Sequence, residues 1–220
     1  MFCGPDAAAT PSNATVIEQA IAAGVRVFTL GPGVIERVAE TVTPQGILGI
    51  VGAIDRPLAA LGSTGLVVVL EDVRDPGNVG AIIRGADAAG ADAVICLAGT
   101  GDPYNPKVVR ASAGSLFHLP IVIDADVDAV VDTLAARGCA LLATAADGGL
   151  DYAVDPWPDA VALVLGNEAN GVSSALRARC DGAISIPIAG QAESLNVAMA
   201  STVLLFEAAR RRRSPPAHPY

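Results

Sequence analysis

The sequence is poor in the residues on which metal binding and acid–base catalysis most often depend. It has only two histidines, His118 and His218, and its four cysteines lie far apart without a Cys-x-x-Cys pair. Two histidines are too few for a typical zinc cluster, and isolated cysteines within apolar stretches are more typical of buried thiols than of disulfides. We therefore expect no metal ion and a reducing, cytoplasmic environment.

Long apolar runs and targeting segments are also lacking. No stretch approaches the roughly 18 unbroken apolar residues that a membrane-spanning helix requires, and the N-terminus lacks a charged segment followed by an apolar one. We therefore expect neither a membrane span nor a secretion signal. Aromatic residues make up only 4% of the sequence although 52% is hydrophobic. A core of Ala, Val, Leu and Ile is therefore expected, as in parallel α/β proteins.

Several common nucleotide-binding and hydrolase motifs are absent. There is no Gly-x-x-x-x-Gly-Lys phosphate loop and no Gly-x-Ser-x-Gly nucleophile turn. Gly31-Pro32-Gly33 resembles the start of a dinucleotide-binding fingerprint, but Glu36 stands where the third glycine should be. A nucleotide-binding oxidoreductase thus has no intact motif to support it.

The charge gives no general indication of nucleic-acid binding. The net charge is −9, whereas proteins that coat nucleic acid are usually basic. Nearly all of the 14 basic residues are arginines, and four of them form the run Arg210 to Arg213. A local arginine cluster can bind phosphate even in an acidic protein. This run is either an RNA contact or, as we favour, a solvated helix end that complements the helix dipole.

Hydrophobic patterning predicts a mostly parallel, doubly wound α/β sheet. From residue 66 onward, apolar runs predict strands at 66–71, 93–98, 119–123, 139–146, 160–165 and 183–188. Helical patterns lie between or after them, at 77–89, 105–112, 126–137 and 195–211. Strands that alternate with helices favour parallel pairing. Ahead of them, strands at 25–30 and 46–52 and a helix at 33–41 predict a small α/β unit that residues 14–23 could close, followed by a linker at 54–65.

Polar, glycine-rich segments follow three of the predicted strands. They span residues 71–84, 165–172 and 184–197. Open α/β sheets bind ligands beyond the carboxyl ends of their strands, and glycine lets the backbone approach a ligand closely. These segments are therefore the candidate site.

The three segments resemble the signatures of the SpoU/TrmH branch of the SPOUT methyltransferases. Residues 78–84 match Asn-x-Gly-x-x-x-Arg, residues 166–171 match Gly-x-Glu-x-x-Gly, and residues 194–197 match Ser-x-Asn-Val, while Pro44-Gln45-Gly46 adds a fourth match. The resemblance implies an S-adenosylmethionine-dependent RNA 2′-O-methyltransferase that forms a homodimer, with ribosomal RNA favoured over transfer RNA. It also implies a C-terminal trefoil knot in a SPOUT domain at 63–220, preceded by a partial ribosomal-protein-like (L30e-like) RNA-binding domain at 1–62.

The same resemblance implies roles for individual residues. The expected catalytic residues are Arg84, Asn78, Glu168, Ser194 and Asn196. The residues expected to bind the cofactor are Gly166, Asn167, Ile186, Leu195 and, at the end of a predicted strand, Thr144. Those expected to contact RNA are Arg84, Arg110 and Ser112, with Arg84 acting at the cofactor bound by the other protomer.

Alternatives remain open for several of these residues. Ser194 is also expected to cap a helix that starts at Leu195, whereas Asn196 is expected to tie the loops together or to orient Asn78. Arg84 could be a surface side chain that covers apolar area, and Arg110 a helix-end cation. An arginine general base is implied by the family, but a guanidinium pKa above about 12 favours contact with phosphate or with the developing alkoxide. A scaffold dimer without turnover is the alternative function.

Overall fold

The computed structural model describes residues 1–39, 43–62, 64–146, 148–154 and 157–213. The chain divides into two compact units, Met1–Ala53 and Ile54–Tyr220. The boundary thus precedes the predicted one, and the described residues between 54 and 62 belong to the second unit. Among the described residues, no helix has the length and apolarity that crossing a membrane would require.

The first unit is a small three-stranded sheet with two helices. Its elements are β1 (Phe2–Cys3), a 3-10 helix (Ala7–Ala9), α1 (Pro11–Ala22), β2 (Phe28–Thr29), α2 (Val34–Val38) and β3 (Ile47–Leu48). The strand order is β2-β1-β3, with β1 parallel to β2 and antiparallel to β3. The predicted strands and helix are present but shorter, and the last predicted helical residues, 40 and 41, lie outside the described residues. The helix α1 occupies the segment that was expected to close the unit.

The second unit contains the large sheet. Its elements are a 3-10 helix (Leu58–Ala60), β4 (Leu66–Leu70), α3 (Pro76–Ala89), β5 (Ala93–Leu97), α4 (Pro106–Ala111), a 3-10 helix (Ser115–Phe117), β6 (Ile121–Ala125), α5 (Val127–Ala136), β7 (Ala140–Ala145), β8 (Leu150–Asp151), β9 (Val161–Leu165), α6 (Ser174–Arg177), β10 (Gly182–Ser185) and α7 (Val197–Arg213). The strand order is β6-β5-β4-β9-β7-β10-β8, and each of these pairs is parallel. The predicted α/β class and parallel sheet are confirmed, whereas the trefoil knot stays a prediction.

The central strands are buried on both faces, as their unbroken apolar sequences indicate. Every residue of β4, β5 and β9 is buried. In β4, Leu66, Val68 and Leu70 join the core formed with α3 and α7, while Val67 and Val69 join the core formed with α5. Because β4, β9, β7 and β10 are consecutive neighbours, the loops that follow them leave the same edge of the sheet. This brings the three polar segments together.

The start of α7 differs from the prediction. The helix begins at Val197 rather than at Leu195, and the side-chain Oδ1 of Asn196 accepts hydrogen bonds from the amides of Ala198 (2.9 Å) and Met199 (3.3 Å). Asn196 is therefore the capping residue, and the prediction that Ser194 caps this helix is wrong. The strand β8 and the helix α6 were not predicted, because segments of two and four residues show no periodicity.

The glycine of the first motif has a packing role that its substitution can test. A Cβ on Gly80 would lie 2.5 Å from the Cβ of Ala111 and 2.7 Å from the carbonyl oxygen of Val108, where α3 crosses α4. We expect Gly80→Ala to lower the free energy of unfolding by about 1–2 kcal/mol in a urea titration, because the crowding cost of about 1–3 kcal/mol exceeds the helical preference for alanine.

Gly62→Ala is the matched control, because a Cβ there meets nothing within 4 Å. It should change the free energy of unfolding by no more than about 0.5 kcal/mol. Equal stability of the Gly80→Ala variant and the wild type would contradict the packing role.

Candidate functional site

Three side chains from the three motifs form a hydrogen-bonded relay. The Nδ2 of Asn196 donates to the Oδ1 of Asn78 (2.9 Å), and the Nδ2 of Asn78 donates to the Oε1 of Glu168 (3.0 Å). The Oδ1 of Asn196 is already occupied by the amides at the start of α7, so its Nδ2 must face Asn78. The amide of Asn78 is thereby oriented with its donor toward Glu168. The structure thus contains the contact through which Asn196 was expected to orient Asn78, while the role of this contact in catalysis stays a prediction.

The Glu168 carboxylate also binds the start of α3. It accepts hydrogen bonds from the backbone amides of Arg74 (3.4 Å) and Asp75 (3.2 Å). Asp75 caps α3 by accepting from the amide of Asn78. Desolvation alone would raise the pKa of Glu168, but these hydrogen bonds, with Asn78 foremost, hold its pKa below the ordinary value. Glu168 is therefore a fixed negative charge at neutral pH.

Two further contacts join the loop after β4 to the loop after β9. Glu71 accepts hydrogen bonds from the amide (2.7 Å) and the hydroxyl (2.6 Å) of Ser173. The Nδ2 of Asn167 donates to the carbonyl oxygen (3.0 Å) and carboxylate (3.2 Å) of Asp72. The Oδ1 of Asn167 accepts from the amides of Ala169 and Asn170. Both ends of the Asn167 side chain thus hold the loop in place.

Gly166 is required by the shape of its own loop. A Cβ at this position would collide with the backbone of Gly171 and Val172. The chain turns back on itself here, with the amide of Gly171 donating to the carbonyl of Asn167 (2.8 Å). Glycine was expected to let the backbone approach a ligand closely. At Gly166 the backbone instead approaches that of Gly171 and Val172 in the same loop.

A cavity of about 340 Å³ lies where β7, β9 and β10 end. All five residues that were expected to bind the cofactor line it, namely Thr144, Gly166, Asn167, Ile186 and Leu195. Of the expected catalytic residues, Glu168 and Ser194 line it as well. Asn78 and Asn196 are connected to it through the hydrogen bond to Glu168. The sequence therefore identified the residues that surround this cavity, while their individual roles remain predictions.

The cavity has the properties needed for S-adenosylmethionine. Its volume lies in the range of about 300–1,000 Å³ found for small-molecule sites. Leu165, Ile184 and Ile186 supply apolar walls for an adenine ring. Backbone groups of residues 188–195 form no hydrogen bond with other described residues, so they are available to a ligand. Glu168 supplies a negative charge beside which a sulfonium is favoured. The residues present fit this cofactor.

Arg84 lies apart from this cavity. It is exposed on α3 and, within the described ranges, its side chain forms no hydrogen bond or ion pair. Its guanidinium is available to a ligand or a second molecule.

The two remaining RNA candidates differ. Ser112 is fully buried, and its hydroxyl donates to the carbonyl oxygen of Val109 (2.9 Å). The prediction that Ser112 contacts RNA is wrong in this structure, because a buried hydroxyl cannot reach a bound polymer. Arg110 is exposed in the last turn of α4, which suits a helix-end cation, and its RNA contact stays a prediction.

The arginine run at the end of α7 is largely occupied within the chain. Arg210 and Arg211 both donate to Glu207, at 2.7 Å for their shortest contacts. The Nη2 of Arg212 lies 3.7 Å from the Oδ2 of Asp92. These contacts favour the helix-end interpretation over an RNA contact.

Sequence reasoning missed three residues of this region. Glu71 and Ser173 join the loops, and Arg177 lines the cavity. Glu71 belongs to one of the polar segments that the sequence singled out, so the signal for it was present. Ser173 and Arg177 lie beyond the matched motifs, at the cap and at the last residue of the four-residue helix α6, and carried no recognisable signal.

Comparisons with known proteins agree with this site. The sequence profile of the SpoU rRNA Methylase family matches residues 65–206. The chain is 38% identical over 192 residues to RlmP of Bacillus subtilis, a 23S rRNA guanosine 2′-O-methyltransferase, covering 87% of this chain and 76% of that protein. It is 43% identical over 154 residues to a 23S rRNA uridine 2′-O-methyltransferase of Streptomyces viridochromogenes, covering 68% of this chain and 54% of that protein.

A solved structure extends the similarity to the whole fold. The AdoMet-bound rRNA methyltransferase from Sinorhizobium meliloti superposes with a TM-score of 0.83 at 35% identity. The alignment covers 97% of this chain and 80% of that one. Both units therefore have counterparts in a protein that was solved with the cofactor.

The relay predicts how the acidity of Glu168 depends on Asn78. In Asn78→Ala we expect the pKa of Glu168 to rise, because its leading hydrogen bond is lost. A depressed carboxyl pKa stabilises the fold above the unfolded-state pKa, and that contribution disappears as the pH falls through the folded-state value. The difference in the free energy of unfolding between the wild type and Asn78→Ala should therefore become smaller in acid. NMR titration of side-chain carboxyl carbons and urea unfolding at two pH values measure both effects.

Glu207 is the internal control, because its pKa is lowered chiefly by its hydrogen bond with Arg210. Its titration should be the same in both proteins. An unchanged Glu168 titration in Asn78→Ala would show that the relay does not govern this carboxylate.

Proposed function

This chain belongs to the SpoU rRNA methylase family, and we propose that it transfers a methyl group from S-adenosylmethionine to a ribose 2′-hydroxyl of 23S ribosomal RNA. The observation that carries this proposal is the convergence of the three motifs on one cavity, joined by the Asn196–Asn78–Glu168 relay. The proposal is further supported by relatives that are named for this reaction. The sequence motifs, the cavity and the named relatives thus all support RNA 2′-O-methylation as the function.

The relatives support ribosomal RNA as the substrate class without fixing the nucleotide. One is named for a guanosine and another for a uridine. The nucleotide whose ribose is methylated therefore differs between these two relatives. A ribosomal substrate would place the enzyme in the cytoplasm, which we retain as part of the proposal.

The residues of the site support a mechanism that relies on alignment and charge. When bound, S-adenosylmethionine supplies a methyl group activated by its positively charged sulfur. Glu168 offers a negative charge near that position and is held in place by Asn78. Arg84 binds an RNA phosphate and stabilises the charge that develops on the 2′-oxygen, because a guanidinium with a pKa above about 12 is poorly suited to accept a proton.

A second copy of the chain completes the site in this proposal. The helix α7 exposes an apolar stripe consisting of Met199 (64%), Val203 (37%) and Phe206 (46%). The three residues of the stripe are spaced so that they lie on one face of the helix. The helix α7 packs against α3, the helix that carries Arg84. The two helices are so close that a Cβ on Gly85 would lie 3.3 Å from Thr202 Oγ1. A twofold interface on this stripe would cover the apolar surface and present Arg84 to the partner.

The first unit, residues 1–53, supports a role in holding RNA. Phe28 is 47% exposed and stacks on Phe2, with the ring centroids 5.6 Å apart. The guanidinium of Arg26 lies 6.0 Å from the Phe28 ring centroid. Exposed aromatic faces beside arginines are suited to unpaired bases, on which sequence-specific RNA recognition usually depends.

Mapping of 2′-O-methyl groups tests the reaction. Total RNA from cells with and without the gene should differ at a ribose in 23S rRNA. The purified protein should restore that methyl group with S-adenosylmethionine, whereas Glu168→Gln, made as the inactive control, should not. Identical methylation maps together with no cofactor binding in calorimetry would instead support a scaffold without turnover.

Mixed dimers test whether Arg84 acts across the interface. Arg84→Ala and Glu168→Gln should each be inactive, but a mixture with exchanged subunits should recover about a quarter of wild-type activity, because half of the dimers are mixed and each has one intact site. The measurement is the rate of methyl transfer to 23S rRNA. Phe206→Asp in both subunits should abolish the recovery together with the dimer. A mixture that stays inactive would place Arg84 in its own protomer's site.

A further inference from the structure

The cofactor cavity carries one charged side chain of each sign among its described lining residues. Glu168 is acidic, and Arg177, the last residue of α6, is basic. A sulfonium cation is disfavoured beside arginine, so the presence of Arg177 is unexpected in a cavity that serves only to bind adenosine and a sulfonium. The cavity lining therefore offers one group suited to a cation and one suited to an anion.

Arg177 differs from its neighbour Arg179 in its hydrogen bonds and ion pairs with the described residues. Across the part of the chain that the structure describes, the Arg177 side chain forms no hydrogen bond and no ion pair. Arg179 forms ion pairs with Asp128 and with Asp132, the latter at 3.4 Å. The guanidinium of Arg177 therefore keeps its donors available for an anion.

The helical turn that carries Arg177 is held firmly. The hydroxyl of Ser173 accepts from the amide of Leu176 (3.2 Å) and donates to Glu71. Leu176 is 2% exposed and belongs to the core beneath the sheet. A side chain on such an anchored turn loses less conformational freedom on binding than one on a mobile loop.

We infer that Arg177 binds the α-carboxylate of the methionine moiety of S-adenosylmethionine, an inference that rests on the proposed function. That carboxylate is the only anionic group of the cofactor, and a guanidinium can donate two parallel hydrogen bonds to it. Glu168 attracts the sulfonium and the α-ammonium. Arg177 and Glu168 together set the direction in which the cofactor lies, and so the position of its methyl group.

Removal of either charge of the pair tests the contact. Isothermal titration calorimetry would compare S-adenosylmethionine with decarboxylated S-adenosylmethionine, which keeps the sulfonium and lacks the carboxylate. The wild type should bind the first about 10-fold more tightly, since a hydrogen bond between charged groups is worth about that factor. Arg177→Gln should weaken S-adenosylmethionine binding by a similar factor and should not weaken binding of the decarboxylated analogue, which has only cationic groups to place near this position.

Two further variants complete the design. Arg177→Lys should retain part of the preference, because it keeps the charge but not the paired donors. Arg179→Gln is the matched control, since it removes an arginine two positions away that is already paired with aspartates, and it should keep the full wild-type preference.

The outcomes separate this inference from the proposed function. If Arg177→Gln weakened the binding of both ligands equally, or of neither, the carboxylate contact would be overturned. The proposed methyltransferase function would be unaffected by that result. Unchanged affinity for both ligands with weaker 23S rRNA binding would identify Arg177 as an RNA phosphate contact instead. Failure of the wild-type protein to bind either ligand would count against the proposed function itself.

Discussion

The cap that Asn196 places on α7 is the interaction on which the rest of the site depends. The start of this helix leaves backbone amides without partners, and Asn196 satisfies two of them with one oxygen. That choice fixes which end of its amide faces Asn78, and hence which end of Asn78 faces Glu168. A local requirement of one helix thus sets the polarity of a relay that crosses three strand ends.

The buried sheet makes this relay possible. The strands β4 and β9 are adjacent and wholly buried, so the loops that follow them start from fixed positions. Three side-chain contacts then join these loops, from Glu71 to Ser173, from Asp72 to Asn167 and from the start of α3 to Glu168. The cavity is therefore shaped before any ligand enters, and little binding energy is spent on ordering it.

The parts of the fold that were predictable from the sequence are those with long, regular patterns. The solid apolar runs of β4, β5 and β9 identified a parallel sheet, and the motifs identified the residues around the cavity. The two-residue strands β1 and β8 and the helix α6 could not be predicted, because periodicity needs more residues than they contain. The start of α7 was misplaced by two residues because serine and asparagine are both good capping residues. In the structure Asn196 is the residue that caps, and the same side chain also donates to Asn78, a contact that local sequence patterns do not reveal.

The position of β10 has a consequence for how the chain folds. This strand enters the sheet between β7 and β8, pairing with both, although both are synthesised before it. The gap between them must stay open until residues 182–185 have left the ribosome. Sheet completion therefore waits for a strand that follows both of its neighbours in the chain, and such non-local pairing is intrinsically slow. Until β10 is made, the edges of β7 and β8 that it will cover are unpaired, and such unpaired strand edges are prone to association with other chains.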